Sequence, residues 1–280
     1  MSIAETFRRL RKLNEGALIA YVTGGDPSPK YTPMIVEALV EGGADIVEIG
    51  IPFSDPIADG PVIQASDVRA LNAGTTPKTV LNIVKEAKRI VNTPIVLMTY
   101  HNIVFRMGVG KFLDESSRNG VDGIIVVDLP VEEAAEYKEA AEKHGVDTVF
   151  LATPSTSLER LEKILNMASG FLYLVSVFGV TGMREQVAQL TVQTIRRLHP
   201  YTLNRVPLAV GFGISRPEHV KSVISCGADG AIVGSAFVKL VEKNHGDAAS
   251  LLYDLKASAR SMKLAAKKGE PSPQLETRDI

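Results

Sequence analysis

Short apolar runs alternate with longer amphipathic stretches along the whole chain. The runs predict strands near residues 17–22, 46–50, 95–98, 123–127, 148–151, 172–175, 208–211 and 231–233. Several are apolar at successive positions, as in Ile124-Ile125-Val126-Val127, the pattern of a strand covered on both faces. The stretches between them have helical spacing; within 131–144, Ala134, Tyr137 and Ala141 fall on one stripe. Strands alternating with helices predict parallel βαβ units. Ahead of the first strand, Ile3, Phe7, Leu10 and Leu13 predict an extra N-terminal helix packed on that strand.

Four of the helix-to-strand turns share a three-residue unit: Gly43-Ala44-Asp45, Gly120-Val121-Asp122, Gly145-Val146-Asp147 and Gly227-Ala228-Asp229. Glycine suits the position that ends a helix, and aspartate can bond locally in the short turn that follows. Eight strands joined by a repeated unit point to an α/β chain folded as one (β/α)8 TIM barrel over residues 1–266. An open doubly wound sheet is the competing arrangement. Residues 267–280 are polar, contain Pro271 and Pro273, and read as a loose tail.

Composition narrows the picture. With 31 Lys+Arg against 32 Asp+Glu the formal charge of the 280 residues is −1, which argues against a nucleic-acid binder. A 45% apolar content with 22% charged residues is that of a globular protein. No apolar run approaches the ~18 residues of a spanning helix, and no signal peptide is visible. The single cysteine, Cys226, excludes a disulfide framework and fits a reducing cytoplasm. It reads as a core residue near the barrel bottom. The histidines are scattered without metal spacing, so no metal site is expected.

In such barrels the chemistry sits at the C-terminal ends of the strands. The seventh strand ends in Gly211-Phe212-Gly213 and the eighth in Gly234-Ser235. Glycine turns after these two strands, with a helix N-terminus, suit a phosphate group held by backbone N–H groups. Glu48 lies within the apolar strand Ile46-Val47-Glu48-Ile49, and parity places it opposite Val47 and Ile49, facing inward. An inward carboxyl should have a raised pKa, which suits a general acid/base; the alternative is a buried acid paired with a core cation. Asp55 and Asp59 follow on the next loop. No predicted strand carries a lysine and no Gly-x-Ser-x-Gly elbow occurs, so acid/base chemistry without a cofactor on this chain remains.

The run from Val47 to Gln64, with its core Ile51-Pro52-Phe53-Ser54-Asp55-Pro56-Ile57-Ala58-Asp59-Gly60-Pro61, closely resembles the signature of tryptophan synthase α chains. The resemblance extends to Tyr21-Val22-Thr23-Gly24-Gly25-Asp26-Pro27, Asp128-Leu129-Pro130-Val131-Glu132-Glu133, Gly179-Val180-Thr181-Gly182 and Gly211-Phe212-Gly213-Ile214-Ser215. It covers residues 1–265 in order. It implies a barrel lyase that cleaves indole-3-glycerol phosphate to indole and glyceraldehyde 3-phosphate in L-tryptophan biosynthesis. By family role, Glu48 is the acid/base and Asp59 bonds the indole N–H. The same resemblance implies an indole slot at Tyr21, Met98, Ile125, Leu151, Tyr173, Thr181 and Phe212. It implies a phosphate site at Gly182, Gly211, Gly213, Gly234 and Ser235. The implied partner is a tryptophan synthase β chain that holds pyridoxal phosphate (PLP), in an α2β2 assembly, with Asp55 at the interface. Tyr21 stands where Phe is common, and its added hydroxyl needs a partner. Val177 and Phe178 replace a more polar pair.

Overall fold

A computed structural model describes residues 1–176, 184–244 and 246–267. The chain opens with α1 (Ile3–Lys12), β1 (Ala17–Thr23), α2 (Thr32–Glu41) and β2 (Ile46–Gly50). Two helices follow β2, α3 (Pro61–Asn72) and α4 (Pro77–Ile90), before β3 (Ile95–Thr99). Another two, α5 (His101–Met107) and α6 (Val109–Arg118), lead to β4 (Gly123–Val126). Single helices then alternate with strands: α7 (Ala135–His144), β5 (Asp147–Ala152), α8 (Leu158–Met167), β6 (Leu172–Val175), α9 (Arg184–Thr202), β7 (Leu208–Gly211), α10 (Pro217–Ser225) and β8 (Gly230–Val233). The last two elements are α11 (Ser235–Asn244) and α12 (Ala248–Ala265).

The eight strands form a closed barrel in sequence order, with every neighbouring pair parallel and β1 paired to β8. Closure eliminates the open doubly wound sheet. Strand alternation divides the core into two layers. Ile19, Ile46, Val96, Ile125, Val149, Tyr173, Ala209 and Ile232 fill the barrel interior. Leu18, Val47, Ile49, Leu97, Ile124 and Val210 pack outward against the helices. Such two-sided burial is why these strands read as unbroken apolar runs.

The extra helix α1 closes the N-terminal end of the barrel. Ser2 and Glu5 form a capping box at its start. Ile3, Phe7 and Leu10 enter the interior layer, where Phe7 packs on Phe171 at 6.2 Å between ring centroids. The fourth residue of the predicted stripe, Leu13, is instead exposed, because α1 ends at Lys12 and Leu13 only caps it. The 131–144 stripe splits into a short 3-10 turn (Val131–Glu133) and α7, with Ala134, Tyr137 and Ala141 buried as expected. Cys226 follows α10 and packs partly buried against the outer core. Of the expected tail only Lys267 is described, bridged to Glu15; residues 268–280 lie outside the described part.

The repeated turn works differently from the local bonding expected of it. All four glycines do take positive φ (103°, 87°, 67° and 108°). Three of the aspartates reach across to the first N–H groups of the neighbouring strand: Asp45 to Leu18 at 3.0 Å, Asp122 to Ile95 at 2.7 Å and Asp229 to Leu208 at 2.9 Å. Each also meets a cation: Arg9 and Lys263 at Asp45, Lys88 at Asp122 and Arg11 at Asp229. Asp147 bonds Ser169. The unit is therefore a strand-to-strand clamp at the barrel bottom. The opposite end is left for the site.

Candidate active site

Glu48 sits on β2 between inward Ile46 and Gly50, in register with Tyr21 of β1 and Val96 of β3. Its side chain is fully buried and neither carboxyl oxygen has a hydrogen-bond partner among the described residues. The alternative of a paired core acid is thus not realised there. Burial pushes its pKa up to about 8. A carboxyl with two unsatisfied oxygens in an apolar barrel is costly to keep unless something else uses it.

A cavity of about 360 Å³ opens at the C-terminal end of the barrel; Glu48 does not itself line it but stands in register with Tyr21, which does. Tyr21, Met98, Tyr173 and Phe212 line it, together with Asp59, Gly213, Gly234 and Ser235. Burial, and then the charges of nearby acids, drive both tyrosine hydroxyls far above their ordinary pKa. Those acids include Glu48 and Asp59 for both rings, so the two carboxyls share one neighbourhood with the cavity walls. The Tyr21 hydroxyl finds its partner in Thr23 Oγ1 at 3.3 Å, which in turn pairs with Ser66 Oγ at 2.6 Å. Tyr21 and Tyr173 lie over the glycines Gly50 and Gly211, where a Cβ would collide with each hydroxyl. Gly211 therefore makes room for Tyr173, and it is not among the residues facing the cavity.

Asp59 is half-buried and its pKa is raised by burial, against the opposing effect of a bond from Tyr100. The Tyr100 hydroxyl donates to Asp59 Oδ2 at 2.5 Å and accepts from the Ala58 N–H at 3.1 Å. Tyr100, which holds Asp59, is not among the candidates read from the sequence; the one available signal was its place directly after β3. Part of the wall is built from backbone. Phe212 and Gly213 both take left-handed φ (68° and 74°), unusual for a phenylalanine. Ser176 Oγ holds that turn through the Gly211 and Phe212 carbonyls at 2.6 and 2.7 Å. Helix α11 begins at Ser235, so its first N–H groups lack intrahelical partners and face the cavity with the positive end of the helix dipole.

The remaining predicted residues are placed as follows. Ile125 is buried in the barrel interior beneath the cavity. Leu151 packs on the same interior layer and also lines a second hollow of about 240 Å³ between the ends of β4 and β5. Asp55 is exposed, accepts from Ser54 at 2.6 Å, and lines a shallow depression with Pro56, Ile57 and Val68. Thr181 and Gly182, like Val177 and Phe178, lie outside the described residues. Among the described residues no cluster of His, Cys, Asp or Glu could hold a metal ion, and no helix is long and apolar enough to cross a membrane.

A closed barrel with an apolar cavity at its C-terminal end, and beside it a buried acid without a partner among the described residues, defines a (β/α)8-barrel enzyme. A profile of the family described as "Tryptophan synthase alpha chain" matches residues 7–267. The tryptophan synthase alpha chain of Methanoregula boonei is 48% identical over 255 residues, covering 91% of this chain and 96% of that protein. A crystal structure of tryptophan synthase subunit alpha from Legionella pneumophila superposes with a TM-score of 0.86 at 36% identity, covering 95% of this chain and 98% of that one. A chain of the tryptophan synthase α2β2 complex from Pyrococcus furiosus gives 0.82 at 46% identity, covering 89% and 98%. The chain belongs to the tryptophan synthase alpha chain family.

Proposed function

We propose that this chain cleaves indole-3-glycerol phosphate to indole and glyceraldehyde 3-phosphate, with Glu48 as acid/base and Asp59 as the partner of the indole N–H. This is the carbon–carbon lyase role of the α subunit of tryptophan synthase in L-tryptophan biosynthesis. The observation that carries it is Glu48, buried, without a partner on either oxygen among the described residues, and in register with the cavity-lining Tyr21.

The chemistry follows from the environments of the two acids. With its pKa near 8, Glu48 is mainly protonated at neutral pH and can give its proton to indole C3. The ring then carries positive charge, which Asp59 offsets across the ring N–H. Glu48, now a carboxylate, takes the proton of the side-chain hydroxyl. The bond between C3 and the side chain breaks as the aldehyde carbonyl forms, and its electron pair returns to the ring. One proton is given and one regained, so the enzyme ends as it began. Tyr21, Met98, Tyr173 and Phe212 supply the apolar walls for the ring, with Ile125 and Leu151 packed beside them. The phosphate rests on the N–H groups at Gly213, Gly234 and Ser235, with Gly211 shaping that wall; Gly182 is assigned to the phosphate and Thr181 to the substrate by resemblance, and both lie outside the described residues.

The partner we propose is a tryptophan synthase β chain in an α2β2 assembly, and PLP belongs to that partner. Asp55 and the loop around it form the contact surface on this side. The setting is cytoplasmic. Assay of indole release from indole-3-glycerol phosphate tests the reaction, and Glu48→Gln should abolish it while the substrate still binds.

A further inference from the structure

Helix α3 grips the loop that carries Asp59 at both ends. At the far end the Gln64 side-chain amide donates to the Asp59 carbonyl at 2.9 Å. At the near end the Asp67 carboxyl, only 3% exposed, takes a hydrogen bond from the Phe53 backbone. The Phe53 ring stacks on Tyr100 at 5.0 Å with 27° between the planes, and Tyr100 donates to Asp59 at 2.5 Å. An unbroken path of contacts therefore runs from Asp67 through Phe53 and Tyr100 to Asp59. The helix is itself anchored. Ser66 bonds Thr23 of β1, and Arg69 makes two bonds to Asp26, at 2.9 and 2.8 Å, while reaching Glu242 of α11.

Nothing in the proposed chemistry uses Asp67, yet a buried carboxyl is costly. The groups that face it are Asp59 on the loop, Asp26 before α2 and Tyr21 on β1, and Arg69 is already committed to Asp26. We infer that Asp67 is a positioning residue: it fixes Phe53 and, through Phe53 and Tyr100, holds Asp59 where the substrate ring N–H arrives. Burial, followed by the charge of Asp59, raises its pKa to about 8. At neutral pH it can thus hold the loop largely as a neutral acid, without placing a second full charge behind Asp59. The inference rests on the role proposed above for Asp59.

The test compares Asp67→Asn, which keeps an acceptor for Phe53, with Asp67→Val, which removes it at similar size. Backbone hydrogen exchange over residues 53–59 and steady-state indole release are measured on the same proteins. Asp67→Val should speed exchange about tenfold. It should also lower kcat about tenfold to a hundredfold with KM little changed, and Asp67→Asn should restore both. Phe53→Leu, which breaks the stack while leaving Asp67 in place, should lower kcat in the same way. Unchanged exchange in Asp67→Val, or an unchanged kcat in either Asp67→Val or Phe53→Leu, overturns the inference. A parent chain that releases no indole overturns the proposed reaction instead, and exchange alone then decides whether Asp67 holds the loop.

Discussion

Glu48 and Asp59 stand in different surroundings, which suits them to the two roles proposed for them. Glu48 has no partner among the described residues and is dominated by burial; Asp59 has a phenol holding it. Glu48→Gln keeps the shape and loses the proton, so indole release should fall about ten-thousandfold, to no detectable turnover. Substrate binding should persist, read by the fluorescence of the substrate's indole ring against a chain with no tryptophan. Asp59→Asn should be severe as well, since a neutral amide cannot offset a cation. The proton on Glu48 is present below about pH 8, so kcat/KM should fall as pH rises through that value. The same shift has a stability sign. The folded-state pKa lies above the ordinary 4.5, so folding binds a proton that the unfolded chain releases. Stability contributed by the protonated acid is therefore lost as pH rises from 4.5 through about 8. Glu48→Gln should flatten that decline, seen as a Tm advantage over the parent that grows toward alkaline pH.

At the scale of elements, the strands were legible because two-sided burial writes itself as unbroken apolar runs, and strand parity alone turned Glu48 inward. Gly213 and Gly234, which line the cavity, were legible as candidates from their place after β7 and β8. Contacts between distant segments were not. The Asp122 partner lies 27 residues away and the Tyr100 partner 41, and a local reading assigned Asp122 to its own turn and gave Tyr100 no role. Leu13 kept the helical period past the point where α1 stops, so periodicity overran the element by one residue. Gly211 fitted a phosphate motif, but the Tyr173 ring above it is a reason for glycine that only the folded barrel reveals. Two measurements address these elements. Asp122→Ala removes the acceptor for the Ile95 N–H and the partner of Lys88, and should cost about 1–3 kcal/mol in denaturant unfolding. Phe7→Ala empties the plug at the barrel bottom and should cost about 3–5 kcal/mol.

The whole molecule is polarised along the barrel axis. One end is closed by α1 and the aspartate clamps; the other carries the cavity, the Asp59 loop and the backbone that suits a phosphate. That division makes a net charge of −1 compatible with the phosphate substrate proposed above: peptide N–H groups and a helix end can bind an anion with no basic patch required. The same end exposes large apolar side chains, Ile57 at 84% and Val68 at 56%, beside Asp55. Surfaces of this kind favour a protein partner, and a β chain seated there would receive indole directly from the cavity. The most direct measurement is indole release from indole-3-glycerol phosphate by the purified chain, alone and with a tryptophan synthase β chain. The account predicts turnover by the parent, faster with the β chain, and none by Glu48→Gln in either condition. No indole from the parent in either condition, or equal turnover by parent and Glu48→Gln, would contradict it.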